Sequence, residues 1–197
     1  IEDVKAVAPL AQVLRTDADA EVRKQAAWAL GQIEDATGLD ALGAALRDQS
    51  LEVRRMVVWA MGQIEDARSA PLLIPALRDS DVEVRRQVAW ALGQIQNPSA
   101  VDALVAALRD TDPKVRAMAA WALGEIQNAR AADGLAAALK DENVDVRKNA
   151  AWALGELDNL RAAPPQLLEA LGDGDRDVRL AAAQAVAEIQ DPAAAAA

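Results

Sequence analysis

A repeat of 31 residues is the feature that most constrains the fold of this chain. All five tryptophans follow that step, and so do a glycine three residues after each tryptophan and an arginine five residues before it. The tryptophans are Trp28, Trp59, Trp90, Trp121 and Trp152. The unit around each of them reads V-R-x-x-[AV]-[AV]-W-A-[LM]-G-[QE]-[IL]. A fixed step over so many copies predicts a repeat protein, in which each unit packs on the next.

A sixth copy of the unit runs from Val178 to Ile189 and arrives one residue late. It carries Gln184 in place of tryptophan and Ala187 in place of glycine. The extra residue lies near Pro164-Pro165, in the segment that connects the last two copies. The sequence therefore predicts about six repeats.

Each unit predicts two helices. In the third copy Val84, Val88, Leu92 and Ile95 have helical spacing, which places a first helix roughly from Val84 to Gln96. Residues whose side chains cap helix N-termini well precede every first helix. They are Asp19, Ser50, Asp81, Asp112, Asn143 and Asp175. The second helices are expected to begin after Asp35, Asp66, Asn97, Asn128 and Asn159, and to end near Leu46, Leu77, Leu108, Leu139 and Leu171.

The composition excludes several classes of chemistry. The chain has no His and no Cys, which removes the usual zinc ligands and the imidazole of serine and cysteine hydrolases. A net charge of -10 argues against nucleic acid, because phosphate binding needs a basic face. No apolar run approaches the ~20 residues of a membrane span. We therefore expect no metal, no cofactor, no catalysis and no membrane insertion by this segment.

Both ends of the sequence fall inside a repeat. Ile1-Glu2-Asp3 matches Ile33-Glu34-Asp35, the end of a first helix, and the chain finishes in five alanines, Ala193 to Ala197, where a second helix should begin. We therefore predict that residues 1–197 form a single array cut within a repeat at both ends. Cut ends expose apolar faces, so end-to-end self-association is expected. Because the chain has no cysteine, the sequence does not indicate an oxidising or a reducing compartment, and we favour the cytoplasm.

With these residues in view, the chain resembles the short HEAT-like repeats of phycobilisome lyases and the artificial αRep scaffolds idealised from such repeats. The shared pattern is D-x-x-V-R-x-x-A-A-x-A-L-G-x-I, as in Asp81 to Ile95, followed by a second helix ending in A-L-[RK]-D, as in Ala106 to Asp110. The A-A-W-A-L-G-[QE]-I form is also similar to HEAT arrays of antirepressor-type bacterial membrane metallopeptidases. The resemblance implies an all-α fold, an α-solenoid of two-helix repeats, and leaves the function open.

Recurring residues of the first helix divide into packing and linking roles. Val22, Ala26, Ala29, Leu30 and Ile33 share one side of the helix and predict a buried stripe. Gly31 stands four residues after Ala27 on an edge where a neighbouring helix can approach closely. An arginine at the stripe border follows an aspartate by six residues, as Arg23 follows Asp17. This spacing predicts an Arg–carboxylate bond that clamps each repeat to the preceding loop.

The tryptophans are the candidate binding residues. Trp28 lies well away from the buried stripe, on a side that the αRep resemblance places on the concave surface, with rings ~10 Å apart at ordinary helix spacing. Exposed tryptophan is a favoured anchor for a partner. The alternative is that basic residues one turn earlier, such as Lys24, Arg55, Arg86 and Lys148, lie across the indoles and that the rings brace the repeats. Specificity is expected at the positions that vary, which are Met56, Ala117, Met118, Glu125, Asn149 and Glu156.

The predicted partner-binding set combines the tryptophans with their neighbours on the same side of the first helix. It comprises Trp28, Trp59, Trp90, Trp121, Trp152, Met56, Met118, Gln25, Gln32, Gln63, Gln94, Arg55 and Arg86. The sequence favours a scaffold that holds another protein or peptide and is part of a larger bacterial protein. Two alternatives remain: a structural or engineered scaffold without a natural ligand, and a lyase-type enzyme on the same repeats.

Overall fold

The computed structural model describes residues 4–189, which contain helices and no strands. The chain divides into two compact units, Ile1–Asn97 (unit 1) and Pro98–Ala197 (unit 2), and within each unit two-helix repeats follow one another. The fold class is thus the predicted all-α solenoid of about six repeats. That residues 1–197 form a single array stays a prediction, and Ala193 to Ala197 lie outside the described residues.

The first helices of the repeats are regular α-helices of 13 or 14 residues. They are α2 (Ala20–Ile33), α4 (Leu51–Ile64), α6 (Val82–Ile95), α8 (Pro113–Ile126), α10 (Val144–Glu156) and α12 (Arg176–Glu188). All six predicted capping residues occupy the N-cap position. Five of them accept backbone N–H bonds with their side chains, and Ser50 makes no such bond.

The second helices are shorter than the first. They are α1 (Val7–Thr16), α3 (Leu39–Ala45), α5 (Ser69–Leu73), α7 (Val101–Ala107), α9 (Ala132–Ala138) and α11 (Pro165–Ala170). At four of the predicted starts a short 3₁₀ helix or a turn precedes the α-helix, as at Ala36–Gly38 after Asp35. The expected start after Asn159 is wrong, because α11 begins at Pro165. Pro165 holds Pro164 in an extended conformation (ψ 146°), which keeps the preceding residues out of a helix.

In unit 1 the core lies between the first and second helices of neighbouring repeats. Helix α2 packs on α1 and α4, α4 packs on α6, and α3 packs on α1 and α4. The large side chains with almost no exposure include Leu30, Leu42, Met61, Leu73 and Leu92. Burying each such side chain contributes about 1.5–3 kcal/mol, so this row of residues is the main source of stability in the unit.

Unit 2 is built in the same way. Helix α10 packs on α8, α9 and α12, and α11 packs on α9 and α12. Leu104, Leu123, Leu135, Leu154 and Leu167 are fully buried there. A backbone bond from the N–H of Asp158 to the carbonyl of Gln127 (2.9 Å) also joins the ends of two first helices.

The buried stripe is confirmed in the inner repeats and incomplete in the first. Val53, Val84, Val115 and Val146 have no exposure, whereas Val22 at the same repeat position is 42% exposed. Ala29 and Ile33 are also half-buried rather than buried. Within residues 4–189 no first helix precedes α2, so one side of α2 has no neighbouring first helix to cover it.

None of the helices among residues 4–189 combines the length and apolarity needed to cross a membrane.

Candidate protein-binding face

All five tryptophans lie on first helices at one repeat position, on α2, α4, α6, α8 and α10. The residues three and four positions before each tryptophan, and the residue four positions after it, lie on the same side of its helix. We call this set the Trp face. In unit 1 it comprises Lys24, Gln25, Trp28, Gln32, Arg55, Met56, Trp59, Gln63, Arg86, Gln87, Trp90 and Gln94. In unit 2 it comprises Ala117, Met118, Trp121, Glu125, Lys148, Asn149, Trp152 and Glu156.

The indole rings are only partly open to solvent. Trp28 is 45% exposed, and the other four tryptophans are half-buried. Gln25, Gln32 and Gln94 are exposed, whereas Met56, Met118 and Gln63 are half-buried. The predicted side of the first helices is therefore accessible, with polar side chains around partly covered rings.

The rings of Trp59, Trp90 and Trp152 pack against the glycine of the preceding repeat. A Cβ atom placed on Gly62 would lie 2.8 Å from Cζ3 of Trp90, and one on Gly31 would lie 2.9 Å from Cζ3 of Trp59. The same contact in unit 2 joins Gly124 and Trp152, at 2.5 Å. Only glycine leaves room for the ring at these positions. Each of these tryptophans therefore braces its repeat against the one before it, while part of the ring remains open.

Gly31 also permits the close helix approach that the sequence predicts. A Cβ atom at this position would lie 2.8 Å from the backbone Cα of Ala60 on the next first helix. One on Gly155 would lie 2.8 Å from Cα of Ala185 and 2.7 Å from Oε2 of Glu188. Because the sixth copy has no tryptophan, a carboxylate occupies the place over this glycine that a ring takes elsewhere.

Unit 1 contains a cleft between two neighbouring tryptophans. Trp59 and Trp90 form its walls, Gln63, Arg86 and Gln87 complete its lining, and its volume is about 330 Å³. The structure thus brings together four members of the predicted set, Trp59, Gln63, Arg86 and Trp90. The remaining members lie elsewhere along the Trp face and do not line this cleft.

Gln87 is a site residue that the sequence analysis missed. Its Oε1 atom is buried and has no hydrogen-bond partner within the described chain, while its Nε2 atom lies 3.4 Å from Oε1 of Glu83. A buried acceptor without a donor costs about 1–3 kcal/mol. The signal that could have found it is its repeat position, since Gln87 stands three residues before Trp90 as Gln25 and Met56 stand before their tryptophans.

Basic residues of the Trp face are held by carboxylates. Nε and Nη2 of Arg86 donate hydrogen bonds to the two carboxylate oxygens of Glu83. This hydrogen bonding raises the pKa of Arg86 and lowers the pKa of Glu83. Arg55 donates to Asp81 of the next repeat at 3.2 Å. Lys24 and Lys148 pair with Glu21 and Asp145 one turn earlier. Whether these cations also lie across the indoles stays a prediction.

The repeated arginine forms a clamp, but its direction differs from the one predicted. The carboxylate that Arg23 bonds is Asp48 of the following repeat, through Nε at 2.8 Å and Nη2 at 2.9 Å. Asp17, six residues earlier, contributes its backbone carbonyl to Nη1 of Arg23 at 2.9 Å. The same pattern is also seen in Arg54–Asp79, Arg116–Asp141 and Arg147–Asp173.

The local geometry of Asp48 determines which carboxylate Arg23 bonds. The side chain of Asp48 is already turned back to accept the backbone N–H of Ser50, and that turn aims its carboxylate at Arg23. The hydrogen bond from Arg23 lowers the pKa of Asp48, and the bond from Arg147 lowers the pKa of Asp173. These arginines are consequently occupied in linking repeats, and they lie outside the Trp face.

The described residues contain no group of three or more carboxylates placed to hold a metal ion.

Comparisons with known proteins agree on the fold. The family model for HEAT repeats matches residues 7–82, 70–148 and 132–197. No functionally curated protein matches the sequence significantly.

Solved structures with a similar fold include engineered and natural repeat proteins. An engineered protein superposes with a TM-score of 0.69 at 24% identity, over 93% of this chain and 96% of that chain. A designed armadillo repeat protein in complex with the peptide (KR)4 gives a TM-score of 0.69 at 21% identity, over 93% and 99% of the two chains. The complex of CpcE and CpcF of phycocyanin lyase from Nostoc sp. PCC7120 gives 0.67 at 25% identity, over 89% and 74%.

Proposed function

This chain belongs to the HEAT repeat family, and we propose that it is a scaffold that binds an extended peptide segment of a partner protein on its Trp face. In this proposal the chain is not itself an enzyme. Similar folds include a designed repeat protein that holds a peptide and a lyase built from two different subunits, so repeats of this kind are suited to holding peptides and proteins.

The observation that carries the proposal is the cleft between Trp59 and Trp90. Two partly open indole rings supply apolar walls, and the buried Oε1 of Gln87 supplies an acceptor that lacks a donor. Once the Gln87 side chain turned toward the cleft that it lines, a backbone N–H of a bound peptide would satisfy that acceptor while an apolar side chain filled the space between the rings. Binding would then remove a penalty that the free protein carries.

The periodicity of the Trp face fits an extended chain. Packed helices stand about 8–10 Å apart, and an extended peptide advances about 3.3 Å per residue. About three peptide residues therefore span one repeat, so that a peptide side chain can meet a ring in each repeat. The acidic character of the chain, with a net charge of -10, disfavours nucleic acid as the partner.

The test starts by selecting, from a displayed library of random peptides, those that bind the whole chain. The affinity of the selected peptides is then compared between two matched variants. Gln87→Ala removes the unpartnered acceptor from the cleft, and Gln25→Ala removes the equivalent amide in the first repeat, which does not line this cleft. We expect Gln87→Ala to weaken the selected peptides about five- to tenfold, the worth of one hydrogen bond. Gln25→Ala should leave their affinity unchanged.

Tryptophan fluorescence supplies the second readout. Bound peptides should shift the emission of the wild type, because Trp59 and Trp90 lose solvent contact. If the selected peptides bind all the variants equally and leave the emission unchanged, the ligand surface lies elsewhere and the proposal is wrong.

A further inference from the structure

The residue type at the repeat position directly after the repeated glycine differs between the two units. In unit 1 it is glutamine, at Gln32, Gln63 and Gln94. In unit 2 it is glutamate in every repeat, at Glu125, Glu156 and Glu188. Since this position stands four residues after the tryptophan, Glu125 and Glu156 lie beside Trp121 and Trp152 on the same side of α8 and α10.

The basic residues that balance charge on the Trp face of unit 1 are partly missing from unit 2. In unit 1 each acidic residue of the first turn has a basic partner one turn later, in the pairs Glu21–Lys24, Glu52–Arg55 and Glu83–Arg86. In unit 2 the position of Lys24 is filled by Ala117, Lys148 and Leu180. Lys148 is engaged by Asp145 at 3.3 Å.

At the repeat positions of Glu21, Lys24 and Gln32, unit 2 has two basic residues, Lys114 and Lys148, and five acidic residues. The acidic residues are Glu125, Asp145, Glu156, Asp177 and Glu188. Within residues 4–189 the carboxylates of Glu125 and Glu156 make no ion pair or hydrogen bond with the protein. Both side chains are half-buried beside half-buried indoles, and no protein cation neutralises them within the described residues.

The neutral groups also differ between the units. Asn149, at the repeat position of Gln87, donates its Nδ2 to the backbone carbonyl of Ala117 at 2.9 Å. Its amide nitrogen therefore joins α10 to α8, whereas the buried carbonyl oxygen of Gln87 in unit 1 has no donor. What unit 2 offers a ligand is an indole ring with a free carboxylate next to it.

We propose that the Trp face of unit 2 binds the arginine or lysine side chains of a basic peptide. A cation placed over the face of Trp121 or Trp152 gains a cation–π interaction, and the neighbouring Glu125 or Glu156 accepts its N–H bonds, in a bidentate manner if the side chain is arginine. Unit 1 does not offer this combination, because glutamine stands at the repeat position where unit 2 has Glu125 and Glu156. The inference rests on the proposed function and assigns the chemical class of the partner.

The experiment is a titration of the whole chain with two blocked peptides of equal length, one a Gly-Arg repeat and the other a Gly-Gln repeat, followed by tryptophan emission at low and high salt. We expect the Gly-Arg peptide to bind more tightly than the Gly-Gln peptide and to weaken as salt rises. The double variant Glu125→Gln/Glu156→Gln, which copies unit 1 at these positions, should weaken Gly-Arg binding about tenfold, or about 1.4 kcal/mol.

A charge-matched control separates this site from the general attraction of an acidic protein. Asp133→Asn/Glu142→Gln removes the same two charges from exposed positions of unit 2 outside the Trp face, and it should leave Gly-Arg affinity nearly unchanged. Equal effects of the two double variants, or no effect of either, would overturn the inference. If peptides selected on the whole chain depend on Gln87 and show no preference for arginine, the inference fails while the proposed function stands. If no peptide shifts the emission, both fail.

Discussion

At the scale of single residues, the contact between a tryptophan and the glycine of the preceding repeat decides how closely two repeats approach. Trp90 over Gly62 and Trp152 over Gly124 show the same geometry in separate units, so the contact is a property of the repeat. It also leaves part of the ring accessible to the proposed partner, because the edge of the ring lies on the glycine while the remainder stays partly exposed.

Substituting Gly62 by alanine tests that contact. The added methyl would lie 2.8 Å from Cζ3 of Trp90 and 3.2 Å from Cβ of Ala91, so the ring or the helix must shift. We expect a loss of about 1–3 kcal/mol in the free energy of unfolding, measured by urea denaturation. Gly174→Ala is the control, since nothing lies within 4 Å of a Cβ atom there. Equal stability of the two variants would contradict the contact.

A second residue-scale feature is the left-handed backbone at the ends of four successive first helices. Glu34, Glu65, Gln96 and Gln127 adopt φ between 48° and 56°, a conformation that favours glycine. Gln127→Gly should stabilise unit 2 by about 0.5–1 kcal/mol, because glycine relieves the steric cost of this conformation. Gln127→Ala removes the same side chain and keeps the cost, so it should give no gain in thermal melting. Should the two variants melt alike, the backbone strain is negligible.

At the scale of the helix pair, the Arg–Asp clamp links each first helix to the loop of the following repeat. Its pH dependence follows from the carboxylates. The pKa values of Asp48 and Asp173 lie below the ordinary value of 3.8 because arginine bonds their ionised forms. A carboxylate with a lowered folded-state pKa stabilises the fold above its unfolded pKa and loses that contribution as pH falls through the folded value.

We therefore expect the melting temperature to hold steady from neutral pH to about pH 4 and to fall below it, as recorded by circular dichroism. The double variant Asp48→Asn/Asp173→Asn should start from a lower melting temperature and lose less of it on acidification. An acid dependence as steep in the variant as in the wild type would show that other carboxylates control the transition.

At the scale of the whole molecule, equivalent residues differ most in exposure at the first and last repeats described. Leu171 is 42% exposed, whereas Leu46, Leu77, Leu108 and Leu139 at the same repeat position are 5–8% exposed. At the other end Val22 is 42% exposed and its equivalents are buried. Apolar surface of this kind is what the predicted end-to-end association would cover.

Sedimentation velocity over a wide range of protein concentration measures that association. We expect the sedimentation coefficient to rise with concentration for the wild type, and Leu171→Lys to reduce the rise, because a charge at this position disfavours burial. Leu72→Lys is the control, since Leu72 is 37% exposed within the second repeat. A coefficient independent of concentration would refute self-association.

The sequence by itself determined the repeat, the two helices in each unit, the capping residues and the buried stripe. These features depend on local geometry: an α-helix places residues three and four apart on one side, and a capping side chain bonds amides two or three residues away. This is why Asp19, Asp81 and Asn143 could be assigned without a structure, whereas the start of α11, set by Pro165, was misplaced.

Only the tertiary structure decided which residues meet between repeats. Arg23 bonds the carboxylate of Asp48 rather than that of Asp17, Trp90 packs on Gly62, and the carbonyl of Gln87 is buried without a donor. In a perfectly periodic sequence each of these residues has an equivalent one step away in either direction, so spacing cannot choose between the preceding and the following repeat. The choice depends on the stacking of the helices, which sets the distances between side chains about 25–31 residues apart.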